Sequence, residues 1–142
     1  MNPTVTSRFL RTILITLDTF LAITAIAGGV GLLTGLNAPP VDLLAGSAFG
    51  SYTVPGLALL VLVGGSALGA ALMTFRRHQA SSLASMIAGG VILAFEIFEA
   101  ITIGSPPGVA RNLQVFYVGL GVLIVVLAIA QRNTSEKNTL HE

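Results

Sequence analysis

Two glutamates, Glu96 and Glu99, lie deep in the third of four long apolar stretches and are the first candidates for chemistry. Residues three apart project from neighbouring positions on one face of a helix. A carboxylate deep in a membrane span costs several kcal/mol unless it is paired, protonated or in contact with water. Two that lie this close would not both ionise readily in a low dielectric. This pattern suits proton exchange, cation binding or recognition of a cationic solute.

A structural role is the alternative for the same pair. Glu99 would then turn toward the outer surface and form an ion pair with Arg111, while Glu96 would be hydrogen-bonded to a Thr or Ser hydroxyl on a neighbour. Docking to another subunit is a third interpretation, and the sequence leaves all three open. The hydroxyls available to Glu96 are those of Thr24, Thr34, Ser66 and Thr102.

Asp18 is a secondary candidate in the first apolar stretch. It lies about two helical turns beyond Arg11, so we expect its carboxylate to reach water or a basic neighbour. The alternative is a proton path from Asp18 to Glu96, which would need polar groups between them. The hydroxyls that could form such a path are Thr16, Thr19 and Thr24.

The elements that must position these residues follow from composition. The chain is 54% hydrophobic and 9% charged, with a mean hydropathy of +0.88, whereas soluble domains carry about 25% charged residues. A helix needs about 17–25 apolar residues to cross the hydrocarbon, and backbone groups in lipid must bond internally. The sequence therefore predicts one all-α domain over 1–142, a four-helix transmembrane bundle. The predicted spans are 12–36, 55–75, 82–103 and 113–130.

The basic residues predict the orientation of the bundle. Six of the seven flank the spans on one side, and Arg111 alone falls on the other. By the positive-inside bias, both termini are cytoplasmic in a bacterial inner membrane, and Tyr52 and Tyr117 lie at the outer interface. The basic turn Arg76-Arg77-His78 is interpreted as part of this topology signal, with a lipid headgroup site as the alternative.

The segments between the spans carry helix-ending residues. Pro39-Pro40 and Pro106-Pro107 stop the first and third helices, because proline lacks an amide donor and clashes with the preceding turn. The outer loop 37–54 is predicted to hold a short interfacial helix at 42–49, and the tail 131–142 to be flexible. Two small-residue pairs, Gly31 with Gly35 and Gly65 with Gly69, suit close helix packing or homodimerisation.

A faint internal repeat divides the chain into two hairpins. Ile26-Ala27-Gly28-Gly29-Val30 recurs as Ile87-Ala88-Gly89-Gly90-Val91, each followed by a double proline and a tyrosine. This order predicts a parallel two-hairpin repeat. The alternative is chance, since these residues are common in membrane helices. The two glutamates have no acidic counterpart in the first half.

Cofactors, metals and enzymatic chemistry are not expected. The chain has no cysteine, and its only histidines, His78 and His141, fall outside the spans. Haem, zinc and di-iron centres need convergent His, Cys or carboxylate ligands. The chain also lacks a phosphate-binding loop and a Ser-His-Asp set. We therefore predict no catalytic residue, no metal, no cofactor and no nucleic-acid partner.

The segment Leu44-Ala45-Gly46-Ser47-Ala48-Phe49-Gly50-Ser51-Tyr52-Thr53-Val54-Pro55-Gly56-Leu57 resembles one in a family of small, uncharacterised four-span membrane proteins of bacteria, notably actinobacteria. In the family a proline often stands where this chain has Ala48. An acidic residue in the third span, at Glu96 or Glu99, is also similar to the family pattern. The resemblance implies four helices and carries no activity.

The sequence favours a non-enzymatic accessory or structural subunit that acts through helix–helix contacts. It is rich in packing residues and poor in reactive ones. The alternative is a small oligomeric carrier or channel for protons, cations or a cationic solute at Glu96 and Glu99. Either role implies a lipid bilayer and a homo-oligomer or a larger membrane complex.

Overall fold

The chain folds into four long helices, which confirms the all-α prediction. The computed structural model describes residues 3–36 and 38–139. The second helix is α-helical at its ends and π-helical in between, a widened form that is rare and often lies near functional sites. The helices are Pro3–Thr34, then Thr53–Leu57 continued by π-helical Ala58–Gly64 and by Gly65–Phe75, then Ser81–Ile103, and finally Val109–Thr139.

The helices form a closed ring in which each packs on its neighbours in sequence, and the fourth packs back on the first. The first and third helices face each other across the ring and touch only slightly. Small and branched apolar residues fill the centre, including Val63, Ala67, Ala88, Ile92 and Ile124.

Each helix is long and apolar enough to cross a membrane, and only 22–33% of its most apolar stretch is buried inside the bundle. The remaining apolar side chains, such as Ile23 and Val126, point outward. A water-soluble protein could not expose so continuous an apolar surface. The chain is therefore an integral, multi-pass membrane protein.

The two ends of the bundle differ in chemistry. We call the end formed by residues 38–52 and 104–108 the glutamate end, because Glu96 and Glu99 lie near it. The opposite end holds Arg8, Arg11, the turn 76–80 and Arg132, and we call it the arginine end.

The helices extend past the predicted spans where the sequence becomes polar. The first begins at Pro3 rather than 12, and the fourth covers Val109–Thr139 rather than 113–130. Hydropathy detects only the apolar part of a helix, whereas polar turns continue it through their own backbone bonds. An ion pair of 3.0 Å between Arg132 and Glu136, one turn apart, joins two such turns. Most of the predicted flexible tail is thus helical, and residues 140–142 and Asn37 lie outside the described residues.

The predicted interfacial helix at 42–49 is shorter than expected. The structure has one 3₁₀ turn, Val41–Leu44, and the chain then bends at Gly46, whose φ of 87° is a left-handed conformation that favours glycine. The loop folds onto the bundle. Leu44 is buried, and the Phe49 ring meets the edge of Phe98 at a centroid distance of 5.7 Å.

Tyr52 anchors the other side of this loop. Its hydroxyl donates a hydrogen bond to the Pro40 carbonyl oxygen at 3.2 Å. Burial raises the pKa of the Tyr52 phenol, and the charge of nearby Glu99 raises it further. The loop therefore lies against the glutamate end as a fixed cap.

Two glycine crossings hold the hairpins together. A Cβ added to Gly29 would lie 2.8 Å from the Gly56 carbonyl oxygen, and one on Gly89 would lie 2.9 Å from that of Gly121. Each hairpin thus brings two backbones into direct contact, as the repeat hypothesis would require of equivalent halves. The predicted pair Gly65 and Gly69 plays no such part within the chain, because a Cβ on either would meet nothing within 4 Å.

Candidate functional site

A cavity of about 490 Å³ lies inside the glutamate end. All four helices and the outer loop contribute to its wall. Most of the wall is apolar, with the aromatic rings of Phe95 and Tyr117 among the larger groups. The polar side chains that line it are Thr24, Glu96, Glu99, Gln114 and Tyr117. The two glutamates predicted as a site are therefore brought together in one mostly apolar chamber.

Glu96 is buried in this chamber, with 6% of its surface exposed, and its Oε2 atom has no hydrogen-bond partner. The hydroxyls that the structural alternative assigned to it bond elsewhere. Each donates to a carbonyl oxygen of its own helix, three or four residues back, as Ser and Thr do in helices. The bonds are Thr24 to Phe20 at 2.9 Å, Thr34 to Val30 at 2.8 Å, Ser66 to Val63 at 3.1 Å and Thr102 to Phe98 at 2.8 Å.

Glu99 has a partner, but it is not Arg111. The Nε2 atom of Gln114 donates to Glu99 Oε1 at 3.0 Å and to the Gly104 carbonyl oxygen at 3.1 Å. The Arg111 guanidinium instead donates to the Ser105 carbonyl oxygen, at 2.8 Å from Nη2 and 3.2 Å from Nε. The expected Glu99–Arg111 ion pair is replaced because the Arg111 guanidinium bonds the Ser105 carbonyl oxygen and Gln114 bonds Glu99.

Gln114 is the site residue that sequence reasoning missed. It is 6% exposed, and its Oε1 atom has no hydrogen-bond partner. Attention to charge alone passed over an amide at the start of a strongly apolar stretch. A buried amide there needs a hydrogen-bond partner as much as a carboxylate does. That requirement is the feature of the sequence that could have identified Gln114.

Asp18 also differs from expectation. It is completely buried, so it reaches neither water nor a basic neighbour. The Ser85 hydroxyl donates to its Oδ2 atom at 2.6 Å, and its Oδ1 atom has no partner. The cause is the face of the helix on which it lies, because Asp18 points across the ring to Ser85 whereas Thr19 at the same depth is exposed.

The proposed proton path from Asp18 to Glu96 is not continuous in the structure. Thr16 is exposed and donates to the Thr12 carbonyl oxygen at 3.0 Å, and Thr19 is also exposed on the outer surface. Only Thr24 faces the cavity, and its hydroxyl is taken up by its own helix. Asp18 and Glu96 therefore belong to separate polar sites.

Comparison of the chain with protein-family models, with curated proteins and with solved structures finds no match. The resemblance to small four-span bacterial proteins stays a prediction. What the chain can do has to be inferred from the cavity itself.

Proposed function

We propose that this membrane protein is a small carrier whose cavity binds a protonated amine attached to an apolar body. The observation that supports this most directly is that two residues lining one mostly apolar cavity each have a buried acceptor atom without a partner, Glu96 Oε2 and Gln114 Oε1. A buried polar atom without a partner costs about 1–3 kcal/mol. A ligand with N–H donors would satisfy both.

The charge of the ligand follows from the two carboxylates. Glu99 accepts a hydrogen bond from Gln114, whereas Glu96 Oε2 has no partner and is therefore the atom available to a cation. An ionised carboxylate that is buried without a cation beside it is strongly unfavourable. A cationic ligand therefore gains more here than a neutral one of the same shape.

The kind of cation follows from the wall. Among the described residues, no third Asp, Glu, His or Cys joins the two glutamates to form a metal site. A divalent ion on two carboxylates would keep most of its water, which an apolar wall does not accommodate. Phe95 and Tyr117 line the same space, and aromatic faces attract organic cations.

Hydrogen-bond donors separate this proposal from a general preference for lipophilic cations. A primary ammonium has three N–H donors, whereas a quaternary ammonium has none. Only the first can satisfy Glu96 Oε2 and Gln114 Oε1 together. We expect a primary amine to bind at least tenfold more tightly than its trimethylated analogue, since each additional hydrogen bond to a charged group contributes about 1.5–3 kcal/mol.

The test is calorimetric titration of the protein in lipid nanodiscs with 4-phenylbutylamine and with its N,N,N-trimethyl analogue at pH 7. Glu96→Gln should abolish the binding of the amine. Asp42→Asn is the matched control, because Asp42 is an exposed acid at the same end that does not line the cavity. Equal affinity for the two probes, or full binding by Glu96→Gln, would refute the site.

Transport is measured separately, in proteoliposomes, as amine-driven current across a supported membrane. Current that disappears in Glu96→Gln supports the carrier. Tight amine binding without current would instead support the accessory-subunit hypothesis, in which the cavity senses the ligand without transporting it. Co-purification with a larger membrane partner would then be the expected companion result.

A further inference from the structure

A second cavity, of about 690 Å³, lies at the arginine end, on the opposite side of the bundle from the amine site. Its wall combines the start of the first helix, the turn between the second and third helices, and the end of the fourth helix. Among the residues that the structure describes, four arginines line it and one carboxylate, Glu136, does. These arginines are Arg8, Arg11, Arg77 and Arg132.

The positive charge of this cavity is mostly uncompensated. Arg132 pairs with Glu136 at 3.0 Å. Within the part of the chain that the structure describes, no carboxylate lies within 4.0 Å of Arg8, Arg11 or Arg77. Three guanidinium groups around one recess form a site for an anion, and guanidinium geometry matches phosphate oxygens in particular.

Arg77 occupies its place at a conformational cost. The second helix ends in a Schellman motif, in which His78 N–H donates to the Met73 carbonyl oxygen at 2.9 Å and Arg77 N–H to that of Thr74 at 3.3 Å. The motif puts Arg77 at a position that glycine usually fills, with a φ of 56°. Left-handed backbone in a long side-chain residue is uncommon and recurs at ligand sites.

Two further features of the wall point to a ligand. Gln131 lines the cavity and is 7% exposed, and its buried Oε1 atom has no hydrogen-bond partner. The third helix begins at the same cavity without a side-chain cap, although the Ser81 N–H already donates to the His78 carbonyl oxygen at 3.0 Å. Uncapped amides at a helix start favour a phosphate, and a buried carbonyl acceptor requires a donor such as a hydroxyl.

We propose that the arginine-end cavity binds a phosphodiester that carries free hydroxyl groups, the chemistry of a phosphatidylglycerol headgroup. Arg8, Arg11 and Arg77 hold the phosphate, and Gln131 accepts a hydrogen bond from a headgroup hydroxyl. The predicted orientation places this end at the cytoplasmic surface, where the source of such a group is the anionic lipid of that leaflet. The same chemistry in free solution is a glycerophosphodiester such as glycerophosphoglycerol. This site is separate from the amine cavity and does not depend on it.

The experiment is native mass spectrometry of the full chain in a neutral detergent with equimolar phosphatidylglycerol and phosphatidylcholine, and in a second mixture with phosphatidic acid. Phosphatidylglycerol should be retained over phosphatidylcholine. Arg77→Gln should weaken its retention about fivefold, equal to about 1 kcal/mol for one basic residue. Arg76→Gln is the matched control, since this neighbouring arginine does not line the cavity.

Arg77→Gly is a second variant that removes the guanidinium without straining the backbone, because glycine readily adopts the left-handed conformation. Its loss of retention can therefore not be attributed to misfolding. Gln131→Leu should lower retention of phosphatidylglycerol and leave that of phosphatidic acid, which has no alcohol hydroxyl in its headgroup, unchanged. If millimolar glycerophosphoglycerol displaces the lipid, the site belongs to the free solute. If it does not, the site belongs to the lipid. Equal losses in Arg76→Gln and Arg77→Gln, or no preference for phosphatidylglycerol over phosphatidylcholine, would overturn the proposal.

Discussion

Replacing Gly89 by alanine should separate the third and fourth helices, whereas the same change one residue later should not. A Cβ on Gly89 would lie 2.8 Å from Val125 Cγ2, 2.9 Å from the Gly121 carbonyl oxygen and 3.3 Å from Ile124 Cγ2. The valine can rotate, but the carbonyl belongs to the backbone and moves only with its helix. A Cβ on Gly90 would meet nothing within 4 Å.

The magnitude follows from comparing the two variants. Both gain the preference of alanine over glycine in a helix interior, about 0.8–1.0 kcal/mol, so this gain cancels in their difference. What remains is the overpacking of Gly89→Ala, about 1–3 kcal/mol. One kcal/mol shifts the melting temperature of a chain of this size by roughly 3–5 °C. We expect Gly90→Ala to melt roughly 3–15 °C above Gly89→Ala.

The chain has neither tryptophan nor cysteine, so a chromatographic assay suits it. Each variant is heated in detergent, and the temperature at which half of the monodisperse peak is lost is taken as its stability. Gly90→Ala should equal or exceed the original protein. If the two variants lose the peak at the same temperature, the third and fourth helices do not cross at Gly89, and the packing described for this hairpin is incorrect.

The remaining predictions concern the polar contacts. Ser85→Ala leaves Asp18 without its hydroxyl donor and should destabilise the bundle by about 1–3 kcal/mol. Thr16→Ala, which removes an exposed hydroxyl from the helix of Asp18, should change stability little in the same heating assay. Gln114→Leu removes an acceptor of the amine and the group that holds Glu99, so calorimetry should show weaker binding of 4-phenylbutylamine. Arg111→Gln should leave that affinity unchanged. A loss of affinity as large as that of Gln114→Leu would instead support the hypothesis of a Glu99–Arg111 ion pair.

The fold could be predicted because the bilayer imposes few solutions. Long apolar stretches bounded by Pro39-Pro40 and Pro106-Pro107 have to be helices, and their number and order follow directly. Helix ends were less predictable. The fourth helix runs to Thr139 through Arg132 and Glu136, whose side chains pair one turn apart although hydropathy has already fallen.

The sequence predicted which two glutamates form the candidate site, but it did not predict which groups they contact. Glu96 and Glu99 share a cavity, as their spacing on one helix face implied. Their partners depend on how the third and fourth helices are rotated, which charge patterns do not specify. Arg111 is the nearest basic residue in sequence terms, yet the backbone carbonyl of Ser105 takes its donors and Gln114 takes Glu99.

The buried bond between Asp18 and Ser85 connects the two sites to the architecture of the bundle. It joins the first and third helices, which face each other across the ring and otherwise touch only slightly. Small buried residues such as Ala67 and Ala88 form the core layer of the bundle. A carrier has to open that layer by moving helices apart. The Asp18–Ser85 bond spans the diagonal that such a movement lengthens, and the glycine crossings keep each hairpin intact as it moves. The carrier proposal therefore implies that the two hairpins move apart along the diagonal that this bond spans.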